Sequence, residues 1–343
     1  MPVASAGFRL SLPGSLSFIS PRNGEAKGAD VDLDPQLSII VATRSRAALL
    51  EKMFRSLDVA LAAAPVPVEV VVVDNGSTDQ TPGVIERWVS SGAGRVPLRE
   101  PQPGKARALN RAIQTARAAI LAFTDDDVEV APNWVREMVA FFAGHNEYAA
   151  AMGRVRIPLH VTDPAQRAQI AYFRTLPLFE GGDAVTDERH LYGCNMAVRR
   201  AVFDRLGLFN ERLGPGASGL HEDGDLARRT LHAGMRIGYM PEVVVYHAVE
   251  PSRLTYDFFR ALHVRDARSR YLMDDRPSRL ASLARLGGAV GVFAWWTLAY
   301  NPARRMRARG RLISHTEMVR LCWKGQGPGT RDQGPGTRDQ GPN

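Results

Sequence analysis

The sequence predicts an α/β protein: a mostly parallel sheet flanked by helices, with a helical extension towards the C-terminal end. Three observations carry this. Short apolar runs of strand length alternate with segments of three- and four-residue apolar spacing. One run, Val68 to Val73, is too continuously apolar for anything but a strand covered on both faces. Several runs stop abruptly at polar or acidic residues, as strands do at the ligand-binding edge of such a sheet.

Residues 1 to 35, rich in Ser, Gly, Pro and Asp, read as a flexible lead-in. Leu37 to Ala42 is the first strand. Leu49, Leu50, Met53, Phe54, Leu57 and Leu61 then mark one face of a helix. After the Val68–Val73 strand, Asp74-Asn75-Gly76-Ser77 supplies turn chemistry. A helix over 81–89, a weak strand over 96–99, a helix over 105–117 and a buried strand over 119–123 follow. The order strand, helix, strand, helix implies parallel pairing. The second half is less regular. Strands are expected over 192–198 and 243–246, and helices over 222–233 and 254–273. Leu286 to Tyr300 is strongly apolar but short of the roughly 20 residues a membrane span needs. Arg304, Arg305, Arg307, Arg309 and Arg311 follow it. In the tail, Gln326–Asp332 recurs as Gln333–Asp339; its Gly and Pro content predicts disorder.

The 343 residues carry a net charge of +8, which favours phosphorylated molecules, anionic lipid or nucleic acid as partners. No zinc-finger or helix-turn-helix signature is present, and the positive charge concentrates near the C-terminal end, so nucleic acid is not expected. The 2 cysteines, Cys194 and Cys322, exclude a disulfide scaffold and suit a reducing compartment. With no apolar signal core at the start, the expectation is a cytoplasmic protein that can sit peripherally at the inner membrane face.

The chemistry gathers where predicted strands end. Asp125-Asp126-Asp127 follows one directly; adjacent carboxylates repel, and a fold that collects them commonly supplies a hard divalent cation such as Mg²⁺ or Mn²⁺. The plainer alternative is a solvated acidic loop. Asp74 stands at another strand tip, where its carboxylate could accept bonds from a base or ribose; the plainer reading of Asp74–Asp79 is a turn and helix cap in which Ser77 or Asp79 accepts backbone N–H bonds. Lys105 and Arg107 follow Gly104, either as diphosphate partners or as solvated bases. Glu222-Asp223 opens a helix, which suits a general base but also the helix dipole. His247 ends the last strand and alone would be read as structural.

Together these pieces resemble the family 2 glycosyltransferases of GT-A fold. The resemblance rests on Ser38–Thr43, Val71–Asp79, Gly104–Asn110, Thr124–Asp127, Gly193–Val198, Gly207–Glu211, Glu222–Leu226 and Pro241–His247, in that order. It implies inverting, metal-dependent transfer of a sugar from a nucleoside-diphosphate donor to a hydroxyl acceptor, in glycan, glycolipid or glycoconjugate biosynthesis. By that resemblance the donor contacts are Ala42, Thr43, Arg44, Asp74, Lys105, Arg107, Asp125 and Asp126. Asp125, Asp127 and His247 would hold the metal, and Asp223, with Glu222 beside it, would be the base. The Gln-x-x-Arg-Trp motif of processive members is absent, so a single addition is expected.

The implied organisation is a catalytic domain over 36–250, its nucleotide-binding half ending near 130, then a basic helical extension over 251–324 suited to a membrane, then the repeat tail over 325–343. Two other functions compete. A nucleotidyltransferase would carry a glycine-rich loop after the first strand, where this chain has Thr43-Arg44-Ser45-Arg46. A nucleotide-sugar-binding module without catalysis could dispense with Glu222-Asp223.

Overall fold

A computed structural model describes residues 34–273 and 277–324. The repeat tail and residues 1–33 of the N-terminal lead-in lie outside the described residues.

The first half follows the expected alternation: β1 (Leu37–Thr43), α1 (Ala47–Ala62), β2 (Val68–Asp74), α2 (Thr81–Ser90), β3 (Arg95–Arg99), α3 (Lys105–Thr115) and β4 (Ile120–Asp125). These strands pair in parallel, with β1 between β2 and β4. The chain winds outward from β1 through β2 to β3, then returns to the other side of β1. That reversal is a topological switch point, where the strand ends leave a crevice. The register sets Thr43 opposite Asp74 and Ala42 opposite Asp125.

The rest of the sheet is mixed. The chain runs through β5 (Val128–Val130), α4 (Trp134–Gly144), β6 (Tyr148–Arg156), α5 (Pro164–Phe173), β7 (Asp187–Glu188), β8 (Asn195–Arg199), α6 (Arg200–Leu206), α7 (Glu222–His232) and β9 (Arg236–His247). The strand order is β3-β2-β1-β4-β8-β6-β9-β5, with β7 on β9. β8 enters antiparallel to β4 and β6, while β6 and β9 are parallel. The expected strand over 243–246 is the end of the longer β9. Its Pro241, which has no N–H to give a ladder, falls where the β6–β9 register jumps from Gly153↔Met240 to Arg154↔Val244.

The core follows from strand alternation. Ile39, Val41, Val70 and Val72 face α1, α2 and α4, meeting Leu50, Phe54, Trp88, Trp134 and Met138. Ile40, Val71, Val73 and Leu121 face the other way, onto Leu109 and Ile113 of α3 and Leu226 of α7. Each fully buried aliphatic side chain contributes about 1.5–3 kcal/mol.

Three further helices follow: α8 (Tyr256–Met273), α9 (Arg279–Leu298) and α10 (Pro302–Lys324). α9 begins well before Leu286, because the Ser278 hydroxyl caps it by accepting the Ala281 N–H at 3.1 Å and Arg285 projects into solvent. Among the described residues, no helix is long and apolar enough to cross a membrane.

Candidate active site at the carboxyl edge of the sheet

The crevice at the ends of β1, β2 and β4 opens into two connected compartments. The smaller, about 290 Å³, is lined by Ala42, Thr43, Arg44, Asn75 and Pro215, among others. The larger, about 570 Å³, extends past Tyr192, Gly193, Glu222, Asp223 and His247 to Phe258 and Leu262 of α8. Both share Arg46, Lys105, Asp125, Asp127 and Arg253.

The three aspartates have three environments. Asp125, at the tip of β4, meets Lys105 Nζ at 2.6 Å. Asp126 is buried; it accepts the Thr43 hydroxyl at 2.6 Å and Arg46 at 3.2 Å. Burial raises its pKa to about 6 despite Arg46, and Asp127 pushes the same way. Asp127 is also buried, which alone would raise it. His247, Arg253 and Arg46 outweigh that and hold it at about 2. Its Oδ2 accepts Arg46 at 2.7 Å and Arg253 at 2.5 Å.

His247 reaches Asp127 because β5 pairs antiparallel with β9, setting Val128 against His247. The His247 Nδ1 lies 2.9 Å from the Ala248 carbonyl, which can only accept, so Nδ1 carries a proton. Nε2 lies 3.6 Å from Asp127 Oδ1 and 3.4 Å from Arg253 Nη1. With Nε2 unprotonated, that nitrogen and the Asp127 carboxylate are ligand types a divalent cation could take here. The expected set of three is not assembled: Asp125 is turned to Lys105. Among the described residues no cluster of three or more Asp, Glu, His or Cys side chains is arranged for a metal.

Lys105, at the first turn of α3, connects the two compartments. Its Nζ also lies 3.4 Å from Glu222 Oε1. Burial works against its charge, yet Asp125 and Glu222 raise its pKa well above the ordinary lysine range. Burial pushes Glu222 up to about 7, against the pull of Lys105 and with the repulsion of Asp223. Asp223 Oδ2 accepts the Gly193 N–H at 2.8 Å, and its Oδ1 accepts the Gly224 N–H at 2.7 Å. A side chain at Gly193 would crowd both Asp223 and Lys105, since a Cβ there would lie 3.4 Å from each.

Asp74 is buried and its Oδ1 accepts the Ser77 N–H at 2.9 Å, so the turn role is real. Arg44 is exposed at the rim. Arg107 departs from expectation. It pairs with Glu211 at 3.0 Å and lines a separate groove with Gln102 and Asn110. Two positions beyond Lys105, it points to a different side of α3. Pattern reading missed Arg46, Arg253 and Asn75. Asn75 fixes the approach to α3, donating to the Gln102 carbonyl at 2.7 Å and accepting the Gly104 N–H at 2.9 Å.

A mixed sheet of this topology, with its crevice at the switch point, defines an α/β architecture of GT-A type. The family model described as glycosyl transferase family 2 matches residues 38–207. The chain is 30% identical over 230 residues to the succinoglycan biosynthesis protein ExoO of Rhizobium meliloti (strain 1021), covering 65% of this chain and 63% of that protein. It is 27% identical over 193 residues to the beta-monoglucosyldiacylglycerol synthase of Synechocystis sp. (strain ATCC 27184 / PCC 6803 / Kazusa), covering 52% of this chain and 38% of that protein. The match therefore spans less than two thirds of either relative's length. Among solved structures, the mannosyltransferase PcManGT from Pyrobaculum calidifontis, in complex with GDP-Man and Mn²⁺, aligns at a TM-score of 0.54 and 21% identity, over 86% of this chain and 89% of that one. Residues 38–207 thus match glycosyl transferase family 2, the family that the motifs resemble.

Proposed function

We propose that the protein transfers one sugar from a nucleoside-diphosphate donor to an acceptor hydroxyl, with inversion, in the synthesis of a glycan or glycolipid. The carrying observation is that Asp125, Asp127 and Asp223, far apart in sequence, line the same compartment. The nucleoside is read as lying in the smaller compartment beside Thr43 and Asn75. Lys105, Arg46 and Arg253 supply cations for a diphosphate. PcManGT, bound to GDP-Man and Mn²⁺, supports this choice of donor.

Asp127 and His247 would hold a divalent metal together with donor phosphates. Such a metal offsets the charge gathering on a leaving diphosphate. Asp223 is the proposed base: its two backbone N–H partners fix the orientation of the carboxylate. It removes the acceptor proton as the hydroxyl attacks the anomeric carbon from the side opposite the diphosphate. Glu222, buried beside Lys105, holds that lysine rather than meeting substrate. The acceptor is read as entering between Tyr192, Leu176 and α8, and as carried on a lipid, in keeping with the glycerolipid relative.

A thermal-shift screen of nucleotide-sugars with Mn²⁺ tests the donor. One donor should raise the melting temperature in a concentration-dependent way and release nucleoside diphosphate slowly. Stabilisation without any release over long incubation, with acceptor extracts added, would favour a binding module instead.

A further inference from the structure

The α9–α10 hairpin shows an unusual surface. On α9, Ser282 and Ala289 are buried, and Leu286, Phe293 and Trp296 are partly buried along the same stripe. Apart from Arg279, Arg285 and Thr297, the remainder of the helix is apolar yet open. Leu280 is 80% exposed, Trp295 64% and Leu298 76%; Tyr300, at the hairpin turn, is 93% exposed. A Cβ at Gly287, Gly288 or Gly291 would meet nothing within 4 Å, so no other element covers that face. Soluble monomers rarely leave so continuous an apolar surface without a partner.

The charge beside it has one sign. From Pro277 to Thr316 there is no Asp or Glu, while Arg304, Arg305, Arg307, Arg309 and Arg311 all project outward. Among the described residues none of these arginines is ion-paired. Two lie over aromatic rings instead: Arg304 is 4.5 Å from the centroid of Trp296 on α9, and Arg309 is 5.0 Å from that of Tyr256 on α8. A second copy of this chain, laid symmetrically on the face, would bring arginines against arginines. An anionic bilayer matches both halves of the surface, taking aromatic rings at headgroup depth and guanidinium groups at its phosphates.

We propose that the hairpin tip docks on an anionic lipid surface, with Trp295, Leu298 and Tyr300 entering the headgroup region and Arg304, Arg305 and Arg307 pairing with lipid phosphates. The proposal rests on the reading of the crevice as a transferase site, and it names where the acceptor comes from. α8 packs on α10 and is the wall of the larger compartment, through Phe258, Leu262 and Arg265. It is also tied to the loop that opens the Asp223 helix: His221 Nε2 meets Asp266 at 2.8 Å, and the Ser218 and Ser269 hydroxyls meet at 2.7 Å. Docking therefore holds the acceptor side of the crevice next to the bilayer.

Co-sedimentation of the full chain with phosphatidylglycerol–phosphatidylcholine vesicles tests this, with pure phosphatidylcholine as the control. Binding should need the anionic lipid and weaken with salt. It should fall on the order of a hundredfold in the triple change Arg304→Gln, Arg305→Gln, Arg307→Gln, at roughly 1 kcal/mol for each arginine. Trp295→Ser with Leu298→Ser should also weaken it, while donor binding and nucleoside-diphosphate release stay unchanged in both variants. No binding of the intact chain to anionic vesicles overturns the proposal. So does binding that neither variant alters, or a concentration-dependent dimer that Trp295→Ser with Leu298→Ser abolishes while vesicles are ignored. Vesicle binding by a chain that releases no nucleoside diphosphate from any donor would instead contradict the transferase reading alone.

Discussion

Two apolar runs of this chain meet opposite fates. Val70 to Val73 lies in β2, covered on alternate sides by helices, and its side chains are at most 1% exposed. Leu286 to Tyr300 is comparably apolar, yet most of it faces solvent and only a narrow stripe is packed. Apolar content does not by itself decide burial; the number of neighbours does. A central strand has neighbours on both faces of its sheet, whereas a helix in a terminal hairpin has them on one side. The uncovered apolar face underlies the proposed lipid contact, and the strand ends underlie the proposed donor site.

The contrast can be broken directly. Val71→Asp would bury a charge among Ile40, Leu121 and Leu109, and should cost at least about 4 kcal/mol by urea denaturation. A smaller loss would mean that face of the sheet is looser than described. Lys105→Met removes the cation that compensates Asp125 and Glu222, so it should cost about 3 kcal/mol and abolish donor turnover. Stability unchanged by it would show that the two carboxylates do not depend on the lysine.

Asp266 sharpens the boundary between the two regions. Burial opposes its charge, but the His221 and Arg270 contacts hold its pKa at about 2. Depressed in the folded protein, this group stabilises above its ordinary pKa near 4 and loses that contribution as pH falls through 2, on the order of 2 kcal/mol. Asp266→Asn should remove that part of the acid sensitivity; an identical pH profile would free α8 from the loop before α7. At the bottom of the scale, Val290→Asp on the open face of α9 should change stability by less than about 0.5 kcal/mol. A cost like that of Val71→Asp would show that the hairpin face is packed after all.

Much of this was legible before the fold. The strands that end at Thr43, Asp74 and Asp125 were marked by their own sequences, because a doubly covered strand leaves little room for polar residues. Asp125 to Asp127 and Asp223 were found as strand-end and helix-start carboxylates, and the structure brings them to one crevice. β6 was invisible. Its Ala, Met and Gly residues have weak strand preference, yet a Cβ at Gly153 would lie 2.2 Å from the Val243 carbonyl, so packing demands what propensity disfavours. Arg253 and Arg46 had no local signal, because Arg253 reaches Asp127 across the sheet from the turn after β9. Arg107 shows the reverse: it lines a groove apart from the one Lys105 lines, because sequence adjacency does not survive the helical turn.

The proposed mechanism sets Asp223 at the acceptor, in a crevice whose donor contacts are made elsewhere. Asp223→Asn, measured for donor affinity in Mn²⁺ and for turnover with acceptor, tests this most directly. Donor affinity should stay within about twofold, while turnover falls about 10²- to 10⁴-fold, the range a general base supplies. Turnover that survives the change, or donor affinity that collapses with it, would contradict the assignment.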